Sequence, residues 1–168
     1  MKEMVDLSAI REALEASGFS FEFLENRVRL KSAAEGAAYW GIRLESTAPA
    51  LILRAENHFL LLIVSGAAGK VDFQALARQT GEKELRMATA AEIRDRFGIR
   101  PGEVPLFGLG LPTLVDRCLL GQEHVYGGSG TPELTLKVVP KALLVLNEET
   151  RLVNVPCLAG ENGKEESA

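Results

Sequence analysis

An α+β fold is predicted by three features of this chain. Short apolar runs and short amphipathic segments intermix without the regular strand–helix–strand alternation of a doubly wound sheet. Two dense apolar runs, Ala50–Arg54 and Phe59–Val64, stand four residues apart and read as a hairpin whose second strand is buried on both faces. Two Ser/Thr-x-x-Glu signatures, at Ser32 and Thr89, mark helix starts.

In chain order, Asp6 or Ser8 can cap a first helix with Ile10, Ala13, Leu14 and Ser17 on one face, ended by Gly18. Phe19 to Leu30 alternates imperfectly and reads as strand. Ser32-Ala-Ala-Glu35 opens a helix through Trp40, stopped by Gly41. After the hairpin, Ser65–Gly69 is a loop. Asp72 caps a helix to Thr80, with Phe73, Leu76 and Ala77 inward and Gly81 beyond its end. Leu85–Ala88 is a short strand, and Thr89-Ala-Ala-Glu92 opens a helix to Phe97, ended by Gly98. Thr113–Asp116, Glu123–Tyr126 and Glu133–Val139 read as strands, the last two flanking the turn Gly127–Pro132. Pro140 starts a helix through Leu146 with proline at its first position.

With 168 residues the chain fits one domain, expected over 1–158, followed by a polar tail at 159–168 that reads as disordered. Apolar residues make up 46% and charged residues 25%, ordinary values for a globular protein. A net charge of −4 gives no whole-protein attraction to DNA or to acidic membranes, so an RNA partner would require a local basic patch. Cys118 and Cys157 are the only cysteines and form no CxxC arrangement, which predicts free thiols in a reducing cytoplasm and no metal site. The longest apolar run is too short to span a bilayer, so a cytoplasmic protein is expected.

The chemistry-bearing signals are few. No Ser-His-Asp order, HExxH, phosphate-binding P-loop or dinucleotide fingerprint is present. His58 falls at the hairpin tip and His124 before a strand, without clustered acids. The basic run Arg27, Arg29 and Lys31 reads as a solvated strand face that can also touch phosphate. The most distinctive stretch is Arg100-Pro-Gly-Glu-Val-Pro-Leu-Phe-Gly-Leu-Gly-Leu-Pro112. Most Gly/Pro loops are simply turns. A loop this constrained can also hold peptide N–H groups toward a ligand's oxygen atoms. With the glycine-rich stretch 127–131 and Asp116 between them, the two loops suggest binding of a small carbonyl or amino-acid group without a cofactor.

Phe97-Gly-Ile-Arg-Pro-Gly-Glu-Val-Pro-Leu-Phe-Gly-Leu109 resembles the loop of the YbaK/ProX family, the editing domain associated with prolyl-tRNA synthetase. Ser32-Ala-Ala-Glu-Gly-Ala-Ala38, Leu51–Arg54, Leu61–Gly66, Val71-Asp-Phe73, Met87–Glu92, Leu114-Val-Asp116 and Gly127–Pro132 are similar to the family's motifs in the same order. The resemblance spans roughly 30–146. It implies a mixed, barrel-like β-sheet flanked by short helices and a free-standing deacylase that hydrolyses a mischarged aminoacyl-tRNA ester at the tRNA 3′ end. Carried over, Gly102, Glu103, Val104 and Pro105 form the carbonyl-binding loop. Ser65, Gly66, Asp116, Gly128 and Gly130 contact the substrate. Two departures stand out: Leu106 replaces a usual proline, and Pro49 stands where the family has a lysine. Lys70 and Arg54 are the candidates to replace that lysine at the tRNA end. The loss of the lysine implies altered specificity, or a catalytically inactive module that binds tRNA, a nucleotide or an amino acid.

Overall fold

The computed structural model describes residues 5–158, so the expected disorder of the tail lies outside the described residues. The elements are α1 (Leu7–Ser17), β1 (Phe21–Glu25), α2 (Ala33–Trp40), β2 (Thr47–Ala48), β3 (Ala50–Arg54), β4 (Phe59–Ile63), α3 (Phe73–Thr80), β5 (Arg86–Met87), α4 (Ala90–Phe97), β6 (Pro112–Asp116), β7 (Val125–Gly128), β8 (Leu134–Val138), α5 (Lys141–Val145) and β9 (Glu148–Val153). The α+β class is as the sequence predicts.

The strands form two mixed sheets. One has the order β1-β8-β7-β2, antiparallel except for the parallel β7/β2 pair. The other has the order β5-β3-β4-β6-β9, with β4/β6 and β6/β9 parallel. Pro49 separates β2 from β3 and is where the chain leaves one sheet for the other. A residue without an N–H suits that crossing, because it owes no ladder bond. Its carbonyl still accepts from Val64 N at 3.0 Å.

β4 shows why the second sheet is covered on both faces. Its Leu61 and Ile63 join Ile52, Val115, Val125, Leu136 and Phe97 in the core between the sheets. The alternate residues Leu60 and Leu62 pack with Leu53, Leu114, Val153 and Leu76 of α3 in a second cluster. Period-two alternation in an all-apolar strand thus feeds two cores.

Helix starts and stops follow local chemistry. Asp6, Ser32, Asp72 and Thr89 each cap a helix by accepting a backbone N–H. Gly18, Gly41, Gly81 and Gly98 end the same helices in the left-handed conformation. In α3, Leu76 is buried while Phe73 and Ala77 are half-buried.

Three differences from the sequence reading have physical causes. The strand expected over Phe19–Leu30 covers only Phe21–Glu25, because the buried Asn26 side chain donates to Val28 O and Pro132 O, both at 2.8 Å, and redirects the backbone. Gly127 and Gly128 belong to β7 and not to the following turn. Glu148–Val153, which the sequence gives no apolar run to announce, is an edge strand parallel to β6.

Candidate functional site

The Gly/Pro stretch folds as a 3-10 turn over Pro101–Glu103, with Glu103 N donating to Arg100 O at 2.9 Å. Leu106 N donates to Gly128 O at 3.0 Å, and Asn147 Nδ2 donates to Leu106 O at 3.0 Å, so the turn is held from two sides. A Cβ at Gly128 would collide with the Val104 carbonyl oxygen, so only glycine allows β7 to approach this closely. Pro101 and Pro105 have no amide hydrogen, and those of Glu103 and Leu106 are engaged. Among the described residues, the amides of Gly102 and Val104 take no part in the hydrogen bonds that hold the turn.

Gly102, Glu103 and Val104 line a cavity of about 500 Å³ together with Pro49, Gly128 and Gly130. That volume falls within the range of small-ligand pockets, about 300–1,000 Å³. Arg29, Lys31 and Arg100 also line it, against Glu103 as its one acidic side chain among the described residues. The balance is locally cationic in an acidic protein. Arg29 Nη2 lies 3.0 Å from Glu103 Oε2, and the pair spans from the segment after β1 to the turn. Asn26 makes this possible by tying its own segment to residues 132–135, with Thr135 Oγ1 donating to its Oδ1 at 3.0 Å.

The hydroxyl groups of the cavity are largely taken by structural bonds. Ser32 Oγ accepts from Glu35 N, and Thr47 Oγ1 donates to Leu44 O at 2.7 Å. Ser129 Oγ donates to Leu134 O at 2.7 Å, and Thr131 Oγ1 donates to Glu133. No histidine lines the cavity among the described residues. An activated side-chain nucleophile needs an adjacent base, and the one carboxylate lining the cavity among the described residues, Glu103, is paired with Arg29. His58 instead lies 3.2 Å from Glu82 at the hairpin end. The Asp116 carboxylate, with burial as a second cause, raises the Cys118 thiol above its ordinary pKa, the reverse of an activated cysteine.

The remaining candidates lie elsewhere. Ser65, Gly66 and Lys70 line a second, mostly apolar cavity of about 480 Å³, which shares Pro49 and Leu51 with the first. Gly66 is where the chain passes over β2, since a Cβ there would overlap Thr47 Oγ1. Pro105 is buried behind the turn and is not part of the lining. Asp116 lines neither cavity: its Oδ2 accepts from Ser65 N and its Oδ1 from Cys118 N, both at 2.9 Å. Arg54 also lines neither, and its guanidinium sits 4.8 Å over the Phe59 ring. The sequence does show the basic run containing Arg29 and Lys31. What it lacks is any sign that this segment folds back over the Gly102 turn.

One helix contributes a wall of its own. Ala33, Gly36 and Trp40 of α2 line the cavity, and the Trp40 Nε1 is buried with no hydrogen-bond partner among the described residues. A glycine inside a helix costs about 0.5–1 kcal/mol relative to alanine, and Gly36 has neither a left-handed φ nor a neighbouring atom within 4 Å of its would-be Cβ.

Among the described residues, no helix is long and apolar enough to cross a membrane, and no three His, Cys, Asp or Glu side chains converge as a metal site. The sequence profile of the aminoacyl-tRNA editing domain matches residues 28–146. No curated protein sequence matches the chain. The chain is similar to the crystal structure of a protein proposed to be a trans-editing enzyme for prolyl tRNA synthetase, at 29% identity and a TM-score of 0.76, covering 89% of this chain and 96% of that one. It is also similar, at 27% identity and a TM-score of 0.76, to a structure from work on grafting epitope backbones onto scaffold proteins by computational design, with the same coverage of each chain. A hypothetical protein shares the fold at 23% identity and a TM-score of 0.77, covering 87% of this chain and 97% of that one. On the profile match over most of its length, the chain belongs to the aminoacyl-tRNA editing domain family.

Proposed function

We propose that this protein is a free-standing cytoplasmic editing deacylase that hydrolyses the ester between a mischarged amino acid and the 3′ end of its tRNA. The amides of Gly102 and Val104 hold the acyl carbonyl and stabilise the oxyanion as water or the neighbouring ribose hydroxyl attacks. Loss of one such donor costs about 2.7–4 kcal/mol of transition-state stabilisation. Arg29, Lys31 and Arg100 meet the phosphates of the tRNA end, the role that sequence reasoning gives to Lys70 and Arg54. Pro49 leaves the family's lysine position without a cation, so the specificity differs from that of lysine-bearing members.

The observation that supports this reading best is that the Gly102 turn and three cationic side chains line one cavity while most of its serine and threonine hydroxyls are tied into the fold. The experiment is to incubate the purified protein with a panel of mischarged tRNAs and follow amino-acid release. Release from at least one tRNA above the buffer rate is expected, and no release from any removes the enzyme.

Pro49 on the cavity wall favours a second reading, a module that binds the tRNA end, a nucleotide or an amino acid without hydrolysis. That reading expects binding of a non-hydrolysable aminoacyl-adenosine with no release by either the native protein or Pro49→Lys. Faster release by Pro49→Lys ends it.

A further inference from the structure

Gly36, Gly102 and Gly121 share an unusual property: each has an ordinary φ, and a Cβ built on each would meet nothing within 4 Å. Neither backbone conformation nor close packing therefore requires glycine there. Gly121 lies in an exposed 3-10 turn and lines neither cavity. Gly102 belongs to the amide turn. Gly36 sits inside α2, where glycine is the poorest residue short of proline.

Ala33, Gly36 and Trp40 are spaced three and four apart, so they share one helix face. All three line the cavity, whereas Ala37 is the residue that α2 buries in the protein. α2 packs against β2, whose Ala48 lines the same cavity. The wall at this end is mostly apolar, with Thr47 and the Trp40 Nε1 as polar members, and it carries no side chain at its middle position.

We propose that Gly36 is a specificity-determining position. Its missing side chain leaves a recess in the α2 wall that admits an apolar acyl side chain larger than the methyl of alanine. The inference rests on the editing reading and names the class of ester that the site takes.

The test compares amino-acid release from tRNA charged with alanine and from tRNA charged with leucine, by the native protein, Gly36→Ala and Gly121→Ala. The native protein is expected to favour the leucyl ester. Gly36→Ala is expected to lower the leucyl-to-alanyl rate ratio about tenfold or more, because one methylene in an apolar pocket changes discrimination by about 10–200-fold. Gly121→Ala is expected to leave the ratio unchanged. Gly36→Ala should melt no lower than the native protein, which separates filling of the recess from damage to the fold. An unmoved ratio in an active protein overturns the recess and leaves editing standing. Absence of release from either ester by the native protein overturns editing, and the recess with it.

Discussion

Helices α2 and α4 begin alike, end alike and serve different purposes. Each has eight residues, a Ser or Thr cap, a Glu three residues later and a left-handed glycine at its end. In α4 the capping box closes on itself: Glu92 N donates to Thr89 Oγ1 at 3.0 Å and Thr89 N donates to Glu92 Oε1 at 2.8 Å. Arg86 adds two further bonds to the same carboxylate, at 2.9 and 3.0 Å. The helix then buries Ile93 and Phe97, whose ring meets Phe59 edge-on at 5.8 Å. In α2 the Glu35 carboxylate takes its bond from Lys31 N, one residue outside the cap, and the helix buries only Ala37. The same signals at the ends are compatible with opposite uses of the middle. α4 is fitted to the core, and α2 gives its face to the cavity.

The largest test of this contrast is Phe97→Ala, which should cost about 3–5 kcal/mol in urea unfolding because a fully buried ring is removed. A loss below about 1 kcal/mol would erase the distinction. Thr89→Ala should cost about 1 kcal/mol in the same measurement. Ser32→Ala should cost less, because Glu35 does not return a bond to its own cap residue. Equal losses would mean that the closed box adds nothing.

The smallest effect is on pH dependence. Hydrogen bonds from Arg86, and then from the Thr89 backbone, hold the Glu92 carboxyl down to about 2, from an ordinary 4.5. A folded-state value below the unfolded one makes this contribution fully present above about pH 4.5 and progressively lost as the pH falls toward 2. The melting temperature difference between the native protein and Glu92→Gln should therefore be constant near neutrality and shrink across that acid range. A difference that persists undiminished at pH 2 would assign the stabilisation to something other than the charged carboxylate.

Much of the fold is legible because its determinants are local. Asp6, Ser32, Asp72 and Thr89 announce their helices within four residues, and the apolar runs of β3 and β4 announce their hairpin. β9 is not legible, since Glu-Glu-Thr-Arg-Leu-Val carries no apolar stripe and becomes a strand only by pairing with β6. The site divides in the same way. The Gly102 turn is visible from its prolines and glycines. Arg100 comes with the turn, whereas Arg29 and Lys31 arrive through Asn26, whose partners at Pro132 and Thr135 are more than a hundred residues away. Lys70 and Arg54 look equally plausible in a linear reading, and only the tertiary fold separates them from Arg29.

Asp116, which the sequence nominated as part of a binding wall, illustrates how a count of lone pairs can dictate a residue. Its two oxygens each receive a separate main-chain N–H, one from the segment after β4 and one from the turn after β6. It therefore rivets the ends of two neighbouring parallel strands at a point where the side chain is almost wholly enclosed. Asparagine has the same shape but offers one acceptor and one donor, so it would set an NH₂ group against one of those amides. Shape alone does not qualify a substitute at this joint; two acceptors are required.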